Sequence, residues 1–184
     1  MRIVAGLAKG RRLASPADGT RPTSDRAREA LFNSLANDLE LAGARVLDLY
    51  AGTGAVGLEA LSRGAVEAVL VESNRAALTV LRRNVETVGL PGATVVGRSV
   101  ASYLKDVPQR PFDLAFADPP YDLADDQLAE ILAGLAQPGR LGAGAWVVVE
   151  RAARSGPPSW PAGLITPDRE RRYGDGVLWY GRAS

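Results

Sequence analysis

The chain of 184 residues contains no cysteine and no histidine. Their absence excludes disulfide bonds, thiolate nucleophiles, Ser-His-Asp triads and zinc sites built from these residues. Any chemistry must therefore depend on carboxylates, backbone groups, aromatic side chains or a reactive cofactor. The sequence also has no apolar run of membrane-spanning length and no apolar signal-peptide core at its N-terminus. We therefore expect a soluble cytoplasmic protein.

Lysine is scarce, so almost all positive charge comes from arginine. The net charge is only +1, but residues 1–28 contain seven basic and two acidic side chains. That segment carries +5, and the rest of the chain therefore carries −4. A basic segment on a mildly acidic body indicates a polyanionic partner, although a solvated arginine-rich terminus has the same composition.

Short apolar runs alternate with helical patterns through most of the chain, which predicts an α/β fold with helices on both faces of the sheet. A final hairpin around residues 173–176 completes a mostly parallel, seven-stranded, Rossmann-like sheet. We expect strands at 45–50, 66–72, 93–97, 112–117, 145–150 and, as a pair, within 164–181, and helices at 24–38, 55–63, 74–88, 99–106 and 124–136.

The N-terminal residues predict a separate small element. Residues 2–15 read as two short strands around Gly6 to Gly10, which would form a β-hairpin. We expect residues 1–22 to be a basic arm that contributes little to the core, and residues 23–184 to be the Rossmann-like domain.

A glycine-rich turn follows the first predicted strand. Gly52-x-Gly54-x-x-Gly57 satisfies the dinucleotide-binding fingerprint, which alone is a weak signal. Asp48 precedes it, and its carboxylate would repel a pyrophosphate but attract a ligand that carries an ammonium and a sulfonium. Asp48 also has a purely structural interpretation, because aspartate often accepts hydrogen bonds from nearby backbone N–H groups.

Two more carboxylates, Glu72 and Asp118, stand at the ends of predicted strands. Ligands of doubly wound sheets bind beyond the carboxyl ends of the strands, where a carboxylate can take both hydroxyls of a ribose. Together with Asp48 and the glycine turn, they favour a cationic, ribose-bearing ligand over three unrelated capping residues.

Asp118-Pro119-Pro120-Tyr121 is the most specific of these signals. The two prolines stiffen the turn and donate no N–H, which leaves the Asp118 carboxylate and the Pro119 carbonyl as acceptors. Two acceptors beside an aromatic ring suit an amino group on a planar base. Without the upstream glycine turn, a stiffened turn that leaves a strand would be the default interpretation.

These motifs resemble those of class I S-adenosylmethionine-dependent methyltransferases that act on exocyclic amino groups. The resemblance narrows to the RsmD family through Arg2-Ile-Val-Ala-Gly6, Lys9-Gly-Arg-Arg-Leu13, Arg21-Pro-Thr-Ser-Asp-Arg26 and Ala30-Leu-Phe-Asn33. It covers nearly the whole chain. It implies methylation of N2 of one guanine in 16S ribosomal RNA, within the small subunit or its assembly intermediate, by a monomer with no membrane partner.

The resemblance also implies roles for residues. The catalytic residues would be Asp118, Pro119, Pro120 and Tyr121. S-adenosyl-L-methionine, with S-adenosyl-L-homocysteine as product and no metal, would be held by Asp48, Tyr50, Gly52, Thr53, Gly54, Glu72, Ser99 and Asp118. Ser99 is included because Arg98-Ser99-Val100 stands where many relatives carry an acidic residue or amide for adenine. RNA would be bound by Arg2, Lys9, Arg11, Arg12, Arg21 and Thr23.

Four other functions are weighed against this one. A DNA adenine-N6 methyltransferase would need a target-recognition segment for base flipping, for which the chain has little spare length. A protein glutamine-N5 methyltransferase usually has a helical domain before the sheet. Asp48 and the lack of a histidine proton donor oppose an NAD-dependent oxidoreductase, and an RNA-binding module without activity would not need the Asp118 turn.

Overall fold

A computed structural model describes residues 1–15 and 25–184 of the chain. This part contains five α-helices and seven β-strands. The helices are α1 (Asp25–Leu35), α2 (Ala55–Ser62), α3 (Arg75–Val88), α4 (Val100–Tyr103) and α5 (Asp125–Leu135). The strands are β1 (Arg45–Leu49), β2 (Glu67–Glu72), β3 (Ala93–Gly97), β4 (Phe112–Ala117), β5 (Leu141–Ala152), β6 (Ile165–Tyr173) and β7 (Gly176–Ala183).

The strands form one sheet in the order β3-β2-β1-β4-β5-β7-β6. Strands β1 to β5 pair in parallel, and β7 runs antiparallel between β5 and β6. The predicted α/β, Rossmann-like class I architecture is therefore confirmed. Because β1 lies between β2 and β4, the direction of winding reverses there, and a crevice opens beyond the carboxyl ends of β1 and β4.

Helices cover both faces of the sheet. One face packs its side chains, such as Val46 and Phe116, against α1, α2 and the end of α3. The opposite face packs others, such as Leu49 and Val147, against α4 and α5. Within the described residues, no helix has the length and apolar character needed to cross a membrane.

The predicted boundaries agree closely for the central strands. Strands β3 and β4 match the predicted 93–97 and 112–117 residue for residue. Strand β5 begins four residues earlier than predicted, because Leu141 pairs with Phe112 across an irregularity in the β4–β5 ladder. The predicted helix 99–106 is only the single turn α4, and the predicted start of α1 at Ser24 lies outside the described residues.

The N-terminal residues differ from the prediction. Residues 1–15 contain no regular strand; one isolated antiparallel bridge joins Arg2 and Arg12. Ile3, Ala8 and Leu13 are buried in the core shared with α1 and α2. Together with this bridge, backbone hydrogen bonds from Ile3 to Arg11, from Gly10 to Ile3 and from Leu13 to Met1 pair the two ends of the segment as a minimal hairpin without regular strands. The expectation that this segment contributes little to the core is wrong. The proposed boundary at residue 22 falls among residues that the structure does not describe.

The arm, as residues 1–15 are called below, is anchored on a buried carboxylate. Glu59 of α2 is fully buried, and its two oxygens accept the backbone N–H groups of Val4 and Ala5 over 2.8 and 2.9 Å. A Cβ on Gly6 would lie 1.7 Å from the carbonyl oxygen of Ser62, so this close approach requires glycine. The backbone of the arm is thus fixed to α2.

The first helix holds the arm from the other side. Arg28 of α1 is fully buried, and its Nη2 donates to the carbonyl oxygen of Arg2 over 2.5 Å and to Asp25 over 2.7 Å. Its Nε lies 3.9 Å from Glu59. This network satisfies charges that would otherwise be costly to bury.

Candidate active site

The glycine turn between β1 and α2 has an unusual backbone. Tyr50 has a φ of 60°, the one positive value for a non-glycine residue in the described chain, and Gly52 and Gly54 have φ values of 53° and 78°. A Cβ on Gly54 would lie 2.3 Å from Leu81, whereas a Cβ on Gly52 would have no neighbour closer than 3.9 Å. Gly54 is therefore needed for packing against α3, and Gly52 leaves open space above the turn. Strained backbone of this kind is typical of functional sites.

Asp48 is buried beneath this turn. Its Oδ2 accepts the backbone N–H of Gly57 in the first turn of α2 over 2.9 Å. Asp48 therefore has the structural role that the sequence allowed as an alternative to ligand binding. A Cβ on Gly57 would lie 2.2 Å from Leu70, so glycine allows α2 to approach the sheet closely. Burial, assisted by the charge of Glu72, raises the pKa of Asp48 to about 7, although the Gly57 hydrogen bond opposes the rise.

Glu72 links the end of β2 to the glycine turn. Its Oε2 accepts the N–H of Gly52 over 2.9 Å, and its Oε1 accepts the N–H groups of Ser73 and Asn74, both over 2.7 Å. These bonds fix the carboxylate at the rim of the crevice, where it is half-buried. Oε1 already accepts two hydrogen bonds, whereas Oε2 accepts one and retains a lone pair for a ligand hydroxyl.

Two further predicted cofactor residues have local structural partners. Ser99 caps α4, and its Oγ accepts the N–H of Ser102 over 3.2 Å at the end of β3. Thr53 is buried, and its carbonyl accepts the side-chain amide of Asn84 in α3 over 2.9 Å. Both residues lie at the same edge of the sheet as Asp48 and Glu72.

The Asp118-Pro119-Pro120-Tyr121 turn follows β4 directly. The N–H of Asp118 approaches the carbonyl of Leu49 at the end of β1, with an N···O distance of 3.4 Å. The carbonyl of Pro120 accepts the N–H of Leu123 over 3.0 Å, which closes the turn. The turn is thus fixed beside the glycine turn, and the side chain of Tyr121 remains 70% exposed.

A cavity of about 470 Å³ opens beside Tyr121. This volume is within the range of small-molecule sites and exceeds the size of a nucleobase. Its walls come from the turn, the segment after β5 and the β6–β7 hairpin: Tyr121, Ala152, Ala153, Arg154, Gly174 and Asp175. The hairpin itself was predictable from the sequence, but its placement at the site was not, because that placement depends on β7 pairing with β5.

Glu150 and Tyr173 are candidate site residues that no sequence motif had indicated. Glu150 lies next to Asp118, since Val149 of β5 pairs with Ala117 of β4. Tyr173 ends β6, and its pKa is raised mainly by burial and then by the nearby carboxylate of Glu150, with smaller effects from Asp118 and Tyr121. A glutamate that ends an apolar strand was visible in the sequence, but nothing there connected it to Tyr173.

Three of the predicted RNA-binding residues lie together on the arm. Arg2, Lys9 and Arg12 are exposed, and Arg2 and Arg12 face each other across the bridge. Arg2 and Lys9 also line a cavity of about 300 Å³ between the arm and α1, whose lining includes Asp25, Arg26 and Glu29. The cavity therefore has charges of both signs.

The other three predicted RNA-binding residues are placed differently. The guanidinium of Arg11 donates to the carbonyl of Val88, where it caps the carboxyl end of α3. That end lies at the edge of the sheet opposite Asp118, because α3 starts from the carboxyl end of β2. Arg21 and Thr23 lie outside the described residues.

Comparisons with known proteins agree with this architecture. The model of the family described as Conserved hypothetical protein 95 matches residues 1–182. Ribosomal RNA small subunit methyltransferase D of Escherichia coli K12 is 40% identical over 163 residues, which are 88% of this chain and 80% of that protein. The structure of yhhF from Escherichia coli is 38% identical, with a TM-score of 0.86 over 100% of this chain and 98% of that one. The structure of a hypothetical protein from Thermus thermophilus is 36% identical, with a TM-score of 0.80 over 98% of each chain. This chain therefore belongs to the Conserved hypothetical protein 95 family, which is the RsmD family that its motifs resemble.

Proposed function

We propose that this chain transfers a methyl group from S-adenosyl-L-methionine to the exocyclic N2 amino group of one guanine in 16S ribosomal RNA. The observation that carries the proposal is the position of the Asp118–Tyr121 turn beside the glycine turn and Glu72, at the reversal point of the sheet. The relative named a ribosomal RNA small subunit methyltransferase supports a substrate in the small subunit or its assembly intermediate. The chain would then act in the cytoplasm and as a monomer.

The crevice at β1 and β2 fits the cofactor. Gly52 leaves room above the turn, and Glu72, fixed by its three backbone contacts, would accept a ribose hydroxyl through the remaining lone pair of Oε2. The buried charge of Asp48 favours a cationic ligand nearby, while Tyr50 and Ser99 border the same edge. When bound, S-adenosyl-L-methionine supplies an electrophilic methyl group whose bond to sulfur breaks as the bond to nitrogen forms, which leaves S-adenosyl-L-homocysteine.

The Asp118 turn fits the amino group that is methylated. An aromatic amine is a poor nucleophile because its lone pair is delocalised into the ring. The Asp118 carboxylate and the Pro119 carbonyl would accept its two hydrogens and orient the nitrogen lone pair, while Tyr121 stacks on the base. The amine becomes acidic as it is alkylated, so Asp118 or water takes the departing proton and no metal or strong base is required.

The arm would contribute RNA affinity. Arg2, Lys9 and Arg12 are exposed on one rigidly anchored segment, which suits contacts to phosphates. Arg11 has a structural partner at the end of α3, so we assign it a smaller share of RNA binding than the sequence suggested. Arg21 and Thr23 keep their proposed place at the approach to the site on the family resemblance alone.

DNA adenine-N6 and protein glutamine-N5 methylation remain the alternatives, because the Asp118 turn serves the same chemistry in both. The test is transfer of tritium-labelled methyl groups from S-adenosylmethionine into separated RNA, DNA and protein. The substrates are small ribosomal subunits and genomic DNA from cells that lack this gene, and Asp118→Ala is the inactive control. The proposal predicts label in RNA only. Label in DNA or protein, or none with the wild-type chain, would overturn it.

A further inference from the structure

The carboxyl ends of β4 and β5 place two acidic side chains next to each other. We propose that Glu150, which lies beside the buried hydroxyl of Tyr173, accepts the N1–H of the target guanine while Asp118 accepts hydrogen from its N2 amino group. Glu150 is then the residue that selects guanine over adenine. This inference rests on the proposed function and extends it from the reaction to the choice of base.

The sheet register puts the two carboxylates side by side. Ala117 of β4 and Val149 of β5 are paired, so Asp118 and Glu150 occupy the next positions along neighbouring parallel strands. Glu150 lies within β5 two residues after Val148, and Asp118 follows β4 two residues after Phe116, so continued alternation would direct both side chains to the face of Phe116 and Val148. Both therefore lie on the same face of the crevice, at adjacent positions along its rim.

Tyr173 reaches this position across an intervening strand. It pairs with Gly176 of β7, and a Cβ on Gly176 would lie 3.0 Å from both the Cζ and the hydroxyl oxygen of Tyr173. The ring thus lies over Gly176 and extends towards β5, where its hydroxyl is buried beside Glu150. A larger residue at position 176 would displace the ring.

The neighbouring cavity connects Glu150 with the aromatic face of the turn. Glu150 lines a small cavity together with Pro119, Pro120 and Tyr121. That cavity adjoins the one of about 470 Å³, since Tyr121 and Ala152 line both. In this proposal, a base stacked on Tyr121 would have both carboxylates at one of its edges.

The chemistry of the two bases makes this pair selective. The Watson–Crick edge of guanine presents two adjacent donors, N1–H and the N2 amino group, which match two carboxylates. Adenine presents an amino group beside an unprotonated N1, which a second carboxylate would face with no hydrogen between them. A site built to accept a hydrogen strongly rejects an analogue that lacks it.

A base analogue tests this directly. 2-Aminopurine keeps the amino group on C2 but has no hydrogen on N1. Small subunits are reconstituted with guanine or 2-aminopurine at the position that mapping identifies, and kcat/KM is measured for both. The variants are Glu150→Gln, whose amide can donate to N1, Tyr173→Phe, and Glu130→Gln on the exposed face of α5 as the matched control. Binding of S-adenosylhomocysteine and thermal unfolding report the integrity of each variant.

We expect the wild-type chain and Glu130→Gln to prefer guanine by about a hundredfold. Glu150→Gln should reduce that preference to less than about tenfold without loss of cofactor binding, and Tyr173→Phe should reduce it partly. An unchanged preference in a folded Glu150→Gln variant overturns the inference; if that variant does not fold, an unchanged preference in Tyr173→Phe does. Absence of methylation of guanine by the wild-type chain would instead refute the proposed function.

Discussion

The carboxylate of Glu72 accepts a hydrogen bond from the backbone N–H of Gly52 over 2.9 Å. This bond joins the end of β2 to the turn that follows β1, so the two parts of the candidate cofactor site are one unit. Removing the side chain would therefore affect both the proposed ribose contacts and the shape of the glycine turn.

Glu72→Gln tests the carboxylate with little change in side-chain size. The amide has one acceptor oxygen, so it can keep the Gly52 bond or the Ser73 and Asn74 bonds but not both, and the charge that would bind a ribose hydroxyl is lost. Because hydrogen bonds to charged groups are worth about 1.5–3 kcal/mol, we expect affinity for S-adenosylhomocysteine to fall at least about tenfold, and further in Glu72→Ala. Calorimetry measures this, with Glu86→Gln on the exposed face of α3 as control. Unchanged affinity in Glu72→Ala would refute the assignment.

Asp118 should contribute to methyl transfer to the target base and very little to the affinity for the cofactor. Asp118→Ala is expected to abolish detectable methyl transfer while S-adenosylhomocysteine affinity changes by less than about threefold, because the lost acceptor orients the amino group. Tyr121→Ala should chiefly raise KM through loss of stacking, and Tyr121→Phe should be milder because the ring remains. Single-turnover kinetics separates binding from transfer. Near-normal transfer by Asp118→Ala would show that the carboxylate has no role in the reaction.

The raised pKa of Asp48 predicts a pH dependence. A cationic ligand near Asp48 binds better to the ionised carboxylate, so affinity for S-adenosylmethionine should rise as the pH passes through about 7. Between pH 6 and pH 8, the increase in affinity of the wild-type chain should exceed the increase for Asp48→Asn by up to about tenfold. The titration of the ligand itself affects both proteins equally and therefore cancels. Equal gains would place Asp48 too far from the ligand's charge to act on it.

The stability of the folded chain should show the opposite trend with pH. The folded pKa of Asp48 lies above its ordinary value of 3.8, so this group's contribution is fully present at low pH and is lost as the pH rises towards 7. Thermal unfolding at pH 5 and pH 8 measures it, and Asp48→Asn, which can still accept from Gly57, should reduce the difference.

The arm should bind RNA through Lys9 and Arg12. Lys9→Glu with Arg12→Glu should preserve folding and cofactor binding but weaken methylation of small subunits. In a plot of the logarithm of the binding constant for small subunits against the logarithm of the salt concentration, the slope should become shallower by about one for each lost phosphate contact. Lys105→Glu with Arg110→Glu has the same change in charge on exposed residues elsewhere and serves as control. Equal behaviour of the two double variants would leave the arm as a purely structural segment.

The sequence predicts the sheet well because its strands are short apolar runs separated by helical patterns and glycines. It fails for the arm because the fixing contacts are tertiary. Glu59 and Arg28 are charged residues that a local pattern assigns to solvent, yet both are fully buried where they hold the arm. Ile3 and Leu13 are too few to reveal a buried segment without those partners.

In the candidate site, too, local sequence patterns predicted some residues and only tertiary pairing revealed the others. Asp48, Glu72 and Asp118 follow apolar strands directly, so their shared edge could be inferred from a parallel sheet. Glu150 and Tyr173 are brought together by the pairing of β5, β7 and β6, which requires the antiparallel order of the last strands. No spacing in the sequence encodes that order.

The most direct test of the central claim is the identity of the methylated base. Small subunits from cells that lack the gene are incubated with the purified chain and deuterium-labelled S-adenosylmethionine, and the ribosomal RNA is digested in parallel to nucleosides and to oligonucleotides for mass spectrometry. The account predicts labelled N2-methylguanosine from a single position of 16S RNA, and none with Asp118→Ala. Labelled N6-methyladenosine, or label in ribosomal protein with unmodified RNA, would contradict it.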